Sequence, residues 1–233
     1  MCAAAALSVV IPSLNEASRL PILLADLNRW TSPMDLVVVD GGSNDLTTVC
    51  AKLAGARLIQ SSRPGRGHQL AEGARVTHGT WLLFLHADSR LPASWCDVVQ
   101  RVINQRSNHR YAWFFDFRIK DAGPILHVLE MAVALRSHLL QSPYGDQGLL
   151  LSRDLYQSIG GYASLPLMED LDLIERLKKQ CACRLKGLGV NLTTDNRRWK
   201  YQSVLHRSWQ NARLRHRWRK GEPAIKLAET YYR

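Results

Sequence analysis

The sequence is short of acid. Twenty Asp and Glu stand against 31 Lys and Arg, a formal net charge of +11. The excess gathers in the last third, in RRWK, HRSWQNARLRHRWRK and the terminal Arg233. Such a basic, Trp-bearing tail suits a phosphate-rich partner (nucleic acid, a nucleotide or an anionic membrane surface) or simply a solvated helix face. The cysteines also lack order. Cys2, Cys50, Cys96, Cys181 and Cys183 are odd in number and scattered, and Cys181-Ala-Cys183 has no second pair to complete a zinc site. A reduced, cytoplasmic compartment is the expectation. No run is apolar and long enough for a membrane span. The first apolar stretch has no basic segment before it and is cut by Pro12, unlike a signal peptide. Internal periods, low-complexity tracts and Gly/Ser/Pro-rich linkers are missing, so one domain over 1–233 is expected.

What is present is an ordinary globular composition, 46% hydrophobic and 22% charged, enough to bury a full core. LSVVI over 7–11 predicts a buried strand stopped by Pro12, followed by a helix over 17–30. DLVVVD over 35–40 predicts a second strand, running into GGSND turn chemistry and a helix over 46–53. A strand over 56–60, a helix over 68–77, a strand over 81–85 and a helix over 92–104 continue the alternation. Strand-helix repetition at this spacing predicts a mostly parallel sheet covered by helices on both faces. The second half predicts a strand over 111–119, an amphipathic helix over 124–140, a strand over 147–151, helices over 154–159 and 170–179, and a basic helical tail. Ligands bind at the carboxyl ends of strands in such sheets, where Asp40 and Asp88 both fall.

Five segments then occur in order: SVVIPSLNE, VVVDGGSND, GRGHQLAEGARVTHGTWLLFLHADS, LMEDLDL and RRW. Together, from about residue 7 to 199, they resemble the inverting glycosyltransferases of the GT-A fold, which include dolichyl-phosphate mannose synthase and cellulose synthase. GDQG and PLMED look like a small bacterial subgroup associated with radical-SAM and selenium-domain proteins. The resemblance implies a nucleotide-binding half over about 7–105, an acceptor half over about 106–200 and a tail over about 201–233. It also implies a nucleotide-diphosphate sugar donor and Mg²⁺ or Mn²⁺.

Residue by residue, the resemblance assigns Pro12, Asn15, Glu16, Asp40 and Asp45 to the nucleotide pocket. Asp40 follows three valines, so its backbone is pinned and its carboxylate is expected to face solvent. For Asn44 a plain helix cap is the preferred reading. Arg66, between two glycines at a predicted helix start, offers a phosphate a bidentate donor beside backbone N–H groups; a solvated turn is the plain alternative. Family members usually carry Asp-x-Asp where this chain reads His86-Ala87-Asp88. Strand alternation would set residues 86 and 88 on one face with Ala87 pointing away. Asp88 keeps the metal position, and one carboxylate can suffice for a hard cation completed by phosphate oxygens. His86 is expected to contact the nucleotide, with a ligand role favouring Mn²⁺ or a hydrogen bond within the sheet as alternatives.

In the family a Glu-Asp pair sits beneath the acceptor. Glu169 and Asp170 match it, with Asp170 the catalytic base, although acids at a helix start also complement its dipole. Arg198 resembles the Arg of a Gln-x-x-Arg-Trp signature and is expected near the diphosphate; Asp195 stands where Gln would be, which removes the signal for processivity. Two rivals predict otherwise. A nucleotidyltransferase wants a Gly-rich loop after the first strand, where this chain has SLNE. A non-catalytic basic module has no need of Asp88 or Asp170. The acceptor, small molecule or lipid-linked, stays unassigned. No nucleic acid partner is expected. The 124–140 helix and tail allow peripheral contact with the inner face of a membrane, although packing of that helix on the sheet is the preferred reading.

Overall fold

The computed structural model of this chain describes residues 6–63, 65–195 and 204–232. Arg198 and its neighbour Trp199 lie outside them. The first half alternates as its periodicity predicts: β1 (Leu7–Ser13), α1 (Leu20–Leu27), β2 (Met34–Asp40), α2 (Thr47–Leu53), β3 (Arg57–Gln60), α3 (Arg66–Val76) and β4 (Trp81–Phe84). A two-residue β5 (Ser89–Arg90) and α4 (Trp95–Ile103) follow. The second half runs β6 (Ala112–Ile119), α5 (Pro124–Leu139), β7 (Leu149–Ser152), α6 (Arg153–Ser158), α7 (Glu169–Cys181) and β8 (Leu185–Thr194), then α8 (Val204–Arg219) and α9 (Ala224–Tyr232).

The eight strands form one sheet in the order β3-β2-β1-β4-β7-β6-β8-β5. β3, β2, β1 and β4 are parallel, β7 is antiparallel to both β4 and β6, and β6 pairs parallel with β8. β5 leaves β4 after only four residues yet pairs with β8 at the far edge. A chain that short cannot cross a flat sheet of this width, so the sheet curls back on itself. The β4–β5 connection, Leu85 to Asp88, sits in the corner of that curl.

Alternation along the strands sorts two cores onto the two faces. Val9, Ile11, Val38 and Leu83 meet α1 and α4, where Trp30 and Trp95 stack with ring centroids 5.3 Å apart. Val10, Val37, Val39, Leu82 and Phe84 meet α3, α6 and α7. Pro12 does not stop β1. The strand continues to Ser13, with Pro12 opposite Val39 of β2. Val10 accepts the last bond on the β4 side, from Leu85, so Pro12 turns its missing N–H toward a neighbour that has already ended. The 17–30 helix shortens to Leu20–Leu27, since residues 17–19 are spent on turns.

β8 carries no prediction in the sequence. Its Gly187 and Gly189 look like turn residues, and its register against β6 jumps between Phe114 and Asp116, which breaks the alternation. An added Cβ on Gly187 would lie 2.6 Å from His138 Cε1, so α5 approaches β8 only because Gly187 has none. The tail is not a free basic arm. Leu214 of α8 and Leu227 and Ala228 of α9 bury against Leu167, just before α7. No helix among the described residues is long and apolar enough to cross a membrane.

Gly73 tests how α3 meets the sheet. A Cβ there would overlap Val10 Cγ1 and lie 3.0 Å from Val39 Cγ2. Overpacking of this kind costs about 1–3 kcal/mol, so Gly73→Ala should lower the denaturant midpoint with little change in slope.

Candidate active site

Two interlocked loops close the carboxyl ends of β1 and β2. Asp40 is fully buried. Its Oδ2 accepts from the N–H of Gly42 (3.0 Å) and of Ser43 (2.8 Å). Ser43 Oγ in turn accepts from the Asn15 N–H at 2.9 Å, and Asn15 Oδ1 accepts from the Asn44 N–H at 2.9 Å. The Glu16 N–H donates to Thr47 Oγ1 at 2.8 Å, and Asp45 Oδ2 accepts from the Ala17 N–H at 3.1 Å. Hydrogen bonding, led by the Thr47 hydroxyl, holds the Asp45 carboxyl below the usual carboxylate range. The expectation that Asp40 faces solvent therefore fails: two backbone donors and a hydroxyl draw its carboxylate into the turn. Asn15, Asp40 and Asp45 brace the loops and do not line the cavity beside them.

That cavity, about 650 Å³, is lined by Pro12 and Ser13 at the end of β1, Glu16 beyond it, Arg66 and Gln69 of α3, and His86, Ala87 and Asp88 after β4. Gln69 Nε2 donates to the carbonyls of Ser13 (3.0 Å) and Val39 (2.8 Å), tying both strand ends to α3. The alternation expected for 86–88 does not occur. β4 ends at Phe84, and the Ser89 N–H donates to the His86 carbonyl at 3.1 Å, closing a turn. A strand could not make the corner of the curl, so the backbone turns and brings His86, Ala87 and Asp88 to one wall. Asp26, buried at the end of α1, fixes the outgoing chain: its Oδ2 accepts from the Leu91 N–H (3.0 Å) and from Arg90 Nε (2.9 Å).

A smaller cavity of about 140 Å³ adjoins the first and shares Arg66 and His86 with it. Its floor is the start of α7. Met168 stands at φ 68°, a left-handed conformation rare for a side chain of its size, and the helix begins directly after it. Glu169, 1% exposed, meets Arg66 Nε in a tight ion pair. Gly67 allows this approach, because a Cβ there would sit 2.7 Å from the carbonyl oxygens of Ala163 and Leu165. Asp170 Oδ2 lies 3.5 Å from Arg66 Nη2 and accepts from the Gly145 N–H at 3.1 Å, while Tyr162 Oη donates to Oδ1 at 3.4 Å. A side chain on Gly145 would overlap Asp170 Oδ2 and lie 2.6 Å from His86 Nε2, so Gly145 wedges its backbone between the two.

The electrostatics follow from this crowding. Burial, then the neighbouring Glu169 carboxylate, raise the Asp170 pKa to about 7, against the downward pull of Arg66. Burial, with Asp170 adding, pushes the Tyr162 hydroxyl well above the usual phenol range, so it stays a donor. Asp170 thus becomes a carboxylate able to both hold and give up a proton near neutrality.

The structure brings Pro12, Glu16, Arg66, His86 and Asp88 to one cavity and Arg66, His86, Glu169 and Asp170 to the other. Tyr162 and the tail residues Asn211, Arg215 and Tyr231, which line the smaller cavity, escape the sequence reading. The basic tail is visible as composition, but its landing place depends on a long-range contact. Among the described residues no cluster of three or more His, Cys, Asp or Glu side chains could hold a metal ion. A single, 7% exposed Asp88 at a cavity wall does suit Mg²⁺ or Mn²⁺, which take waters and phosphate oxygens to complete their shell.

Comparison with known proteins fits this geometry. A PGL/p-HBAD biosynthesis glycosyltransferase of Mycobacterium tuberculosis is 41% identical over 96 residues, 38% of each chain. An uncharacterized glycosyltransferase of Haemophilus influenzae is 24% identical over 189 residues, 75% of this chain and 62% of that one. The match thus spans little more than a third of the first relative's length. Among solved structures, a mannosyltransferase from Pyrobaculum calidifontis with GDP-Man and Mn²⁺ superposes with a TM-score of 0.68 at 18% identity, covering 92% of this chain and 62% of that one. Glucosyl-3-phosphoglycerate synthase of M. tuberculosis with Mn²⁺, UDP and phosphoglyceric acid gives 0.65 at 20% identity, over 93% and 79%. These likenesses establish the fold as the GT-A glycosyltransferase type. The profile of the family described as glycosyl transferase family 2 matches residues 8–140, more than half of the chain, and the chain belongs to that family.

Proposed function

We propose that this chain is a glycosyltransferase that moves a sugar from a nucleotide-diphosphate donor to an acceptor hydroxyl with inversion, and that Asp170 is the base. The observation that carries the reading is Asp170 itself: a buried carboxylate with a pKa of about 7, in a cavity that shares a wall with the Asp88 cavity. Direct displacement needs a base on one side of the anomeric carbon and a leaving group on the other. The two adjoining cavities offer those two sides.

The larger cavity takes the donor, between the β1 end and the His86–Asp88 turn. Asp88 would hold a Mg²⁺ or Mn²⁺ ion. When bound, such an ion supplies positive charge where the departing diphosphate becomes negative. The nucleoside diphosphates and Mn²⁺ carried by the Pyrobaculum and Mycobacterium structures support this assignment. Arg66 reaches both cavities, so it holds the acid pair in place and adds a cation on the donor side. His86, at the shared wall, is read as a donor-side contact.

The acceptor hydroxyl lies against Asp170. As its oxygen bonds to the anomeric carbon, the bond from that carbon to the diphosphate oxygen breaks, and Asp170 takes the hydroxyl proton. Tyr162 and the Gly145 N–H hold the carboxylate in orientation through this transfer. Glu169, paired with Arg66, keeps the base pKa high while staying out of the proton path.

Replacing Asp88 with Ala should abolish the melting shift given by a nucleoside diphosphate with Mn²⁺; an undiminished shift removes Asp88 as the metal-holding residue. Asp170→Asn should keep that shift but lower release of nucleoside diphosphate from the donor by about 10²–10⁴-fold. The same substitution has a stability signature. The Asp170 pKa is raised in the fold, so its proton-linked stabilisation is complete below the usual carboxyl value of 3.8 and is lost as pH rises through about 7. Asp170→Asn should therefore melt higher than wild type at pH 8 and lose that advantage at pH 4; equal differences at both pH values would contradict the raised pKa.

A further inference from the structure

α5 is apolar on both sides. Its inner side buries Val133 against Phe117 and Ile119. On its outer side Ile125, Val128, Met131, Leu135 and Leu139, with Leu140 just beyond, are each between 61% and 71% exposed. Their spacing of three or four residues draws one stripe along a 16-residue helix, about 24 Å long. An exposed apolar stripe of this length marks an interaction surface.

Charge tells what covers it. The only acid within α5 is Glu130, 2% exposed and held by Arg118 Nη1 at 2.8 Å and His127 Nδ1 at 3.0 Å. Arg118, half exposed, therefore stands beside the first half of the helix. At the other end Lys178 Nζ donates to the Leu140 carbonyl at 3.0 Å, and Lys179, 76% exposed, lies 3.5 Å from the less exposed Glu175. His127 and His138 lie on the helix itself, His138 against Asp116. Along this rim Arg118, His138 and Lys179 are each more exposed than the acids they pair with, so two copies meeting through the stripe would bring their cations together on chains that already carry +11. An anionic lipid surface takes the apolar stripe into its interface and attracts the same cations.

We propose that α5 docks this protein on an anionic phospholipid surface, stripe inward. The same helix backs the smaller cavity. Arg136 lies over the Tyr144 ring at 3.6 Å, and Ser137 Oγ donates to Gln147 Oε1 at 2.7 Å. Docking thus holds the smaller cavity near the membrane, and the docking itself stands whether or not the assignment of Asp88 and Asp170 holds.

The test is vesicle co-sedimentation of the full chain with phosphatidylcholine alone and with added phosphatidylglycerol, beside the double variant M131D/L135D. Both sites are exposed, so the variant should fold, and an unchanged melting temperature verifies this. V128S/L139S gives a second, milder variant. L53D, an exposed leucine on α2, is the control. Wild type and L53D should bind the phosphatidylglycerol vesicles, bind less at high salt, and bind at least about tenfold more than M131D/L135D. Equal binding by the stripe variants would assign binding to the basic surface alone and overturn the proposal. A wild type that ignores vesicles, or that is a dimer made monomeric by M131D/L135D, would overturn it as well.

Discussion

The ion pair between Arg66 and Glu169 holds the site together. It joins the first residue of α3 to the first residue of α7, two elements 103 positions apart in sequence. Adjacent carboxylates at the buried start of one helix repel each other, and the Arg66 guanidinium offsets both at close range. Taking one partner from a buried pair typically costs about 3–5 kcal/mol, because the other is left as an uncompensated charge. Here the arrangement leaves a defined remainder. Arg66 binds Glu169 tightly and Asp170 loosely, so Asp170 keeps enough unfavourable field to hold its pKa near 7. A stronger bond from Arg66 to Asp170 would lower that pKa and weaken it as a base.

The rest of the cleft is bracing for that contact. Gly67 and Gly145 let main chain enter where any side chain would collide, one beneath Glu169 and the other between Asp170 and His86. Asp40, Ser43 and Asn15 lock the two loops above β1 and β2 into one rigid rim. Gln69 then ties that rim to α3, and so to Arg66. Rigidity at the rim and strain at Met168 both serve position more than stability.

The alternating half of the fold was open to reading because its signals are local. VVVD and WLLF bury on both faces of a parallel sheet and show as unbroken apolar runs. Glu169 and Asp170, like Asp88, could be picked out by motif order and do line the cleft. Asp40 was misjudged because a strand-end carboxylate looks the same in sequence whether it meets solvent or its own turn. His86 to Asp88 was misjudged because an apolar run does not show that the sheet curls, and only the curl forces a turn there. β8 was invisible for a related reason: Gly187 answers to a distant His138, not to its sequence neighbours.

The tail shows how composition misleads when charge is read without partners. Its basic residues suggest a free surface for phosphate, yet several are already paired. Arg217 binds Glu222 and Arg219 reaches Glu175 on α7. Leu214 and Leu227 decide where the tail goes, by burying against Leu167 immediately before the acid pair. Once packed there, α8 brings Asn211 and Arg215 to the smaller cavity, and α9 brings Ile225 and Glu229 to the larger. Apolar contacts thus bring a basic segment to an acidic site, where Arg215 lines the same small cavity as Glu169 and Asp170.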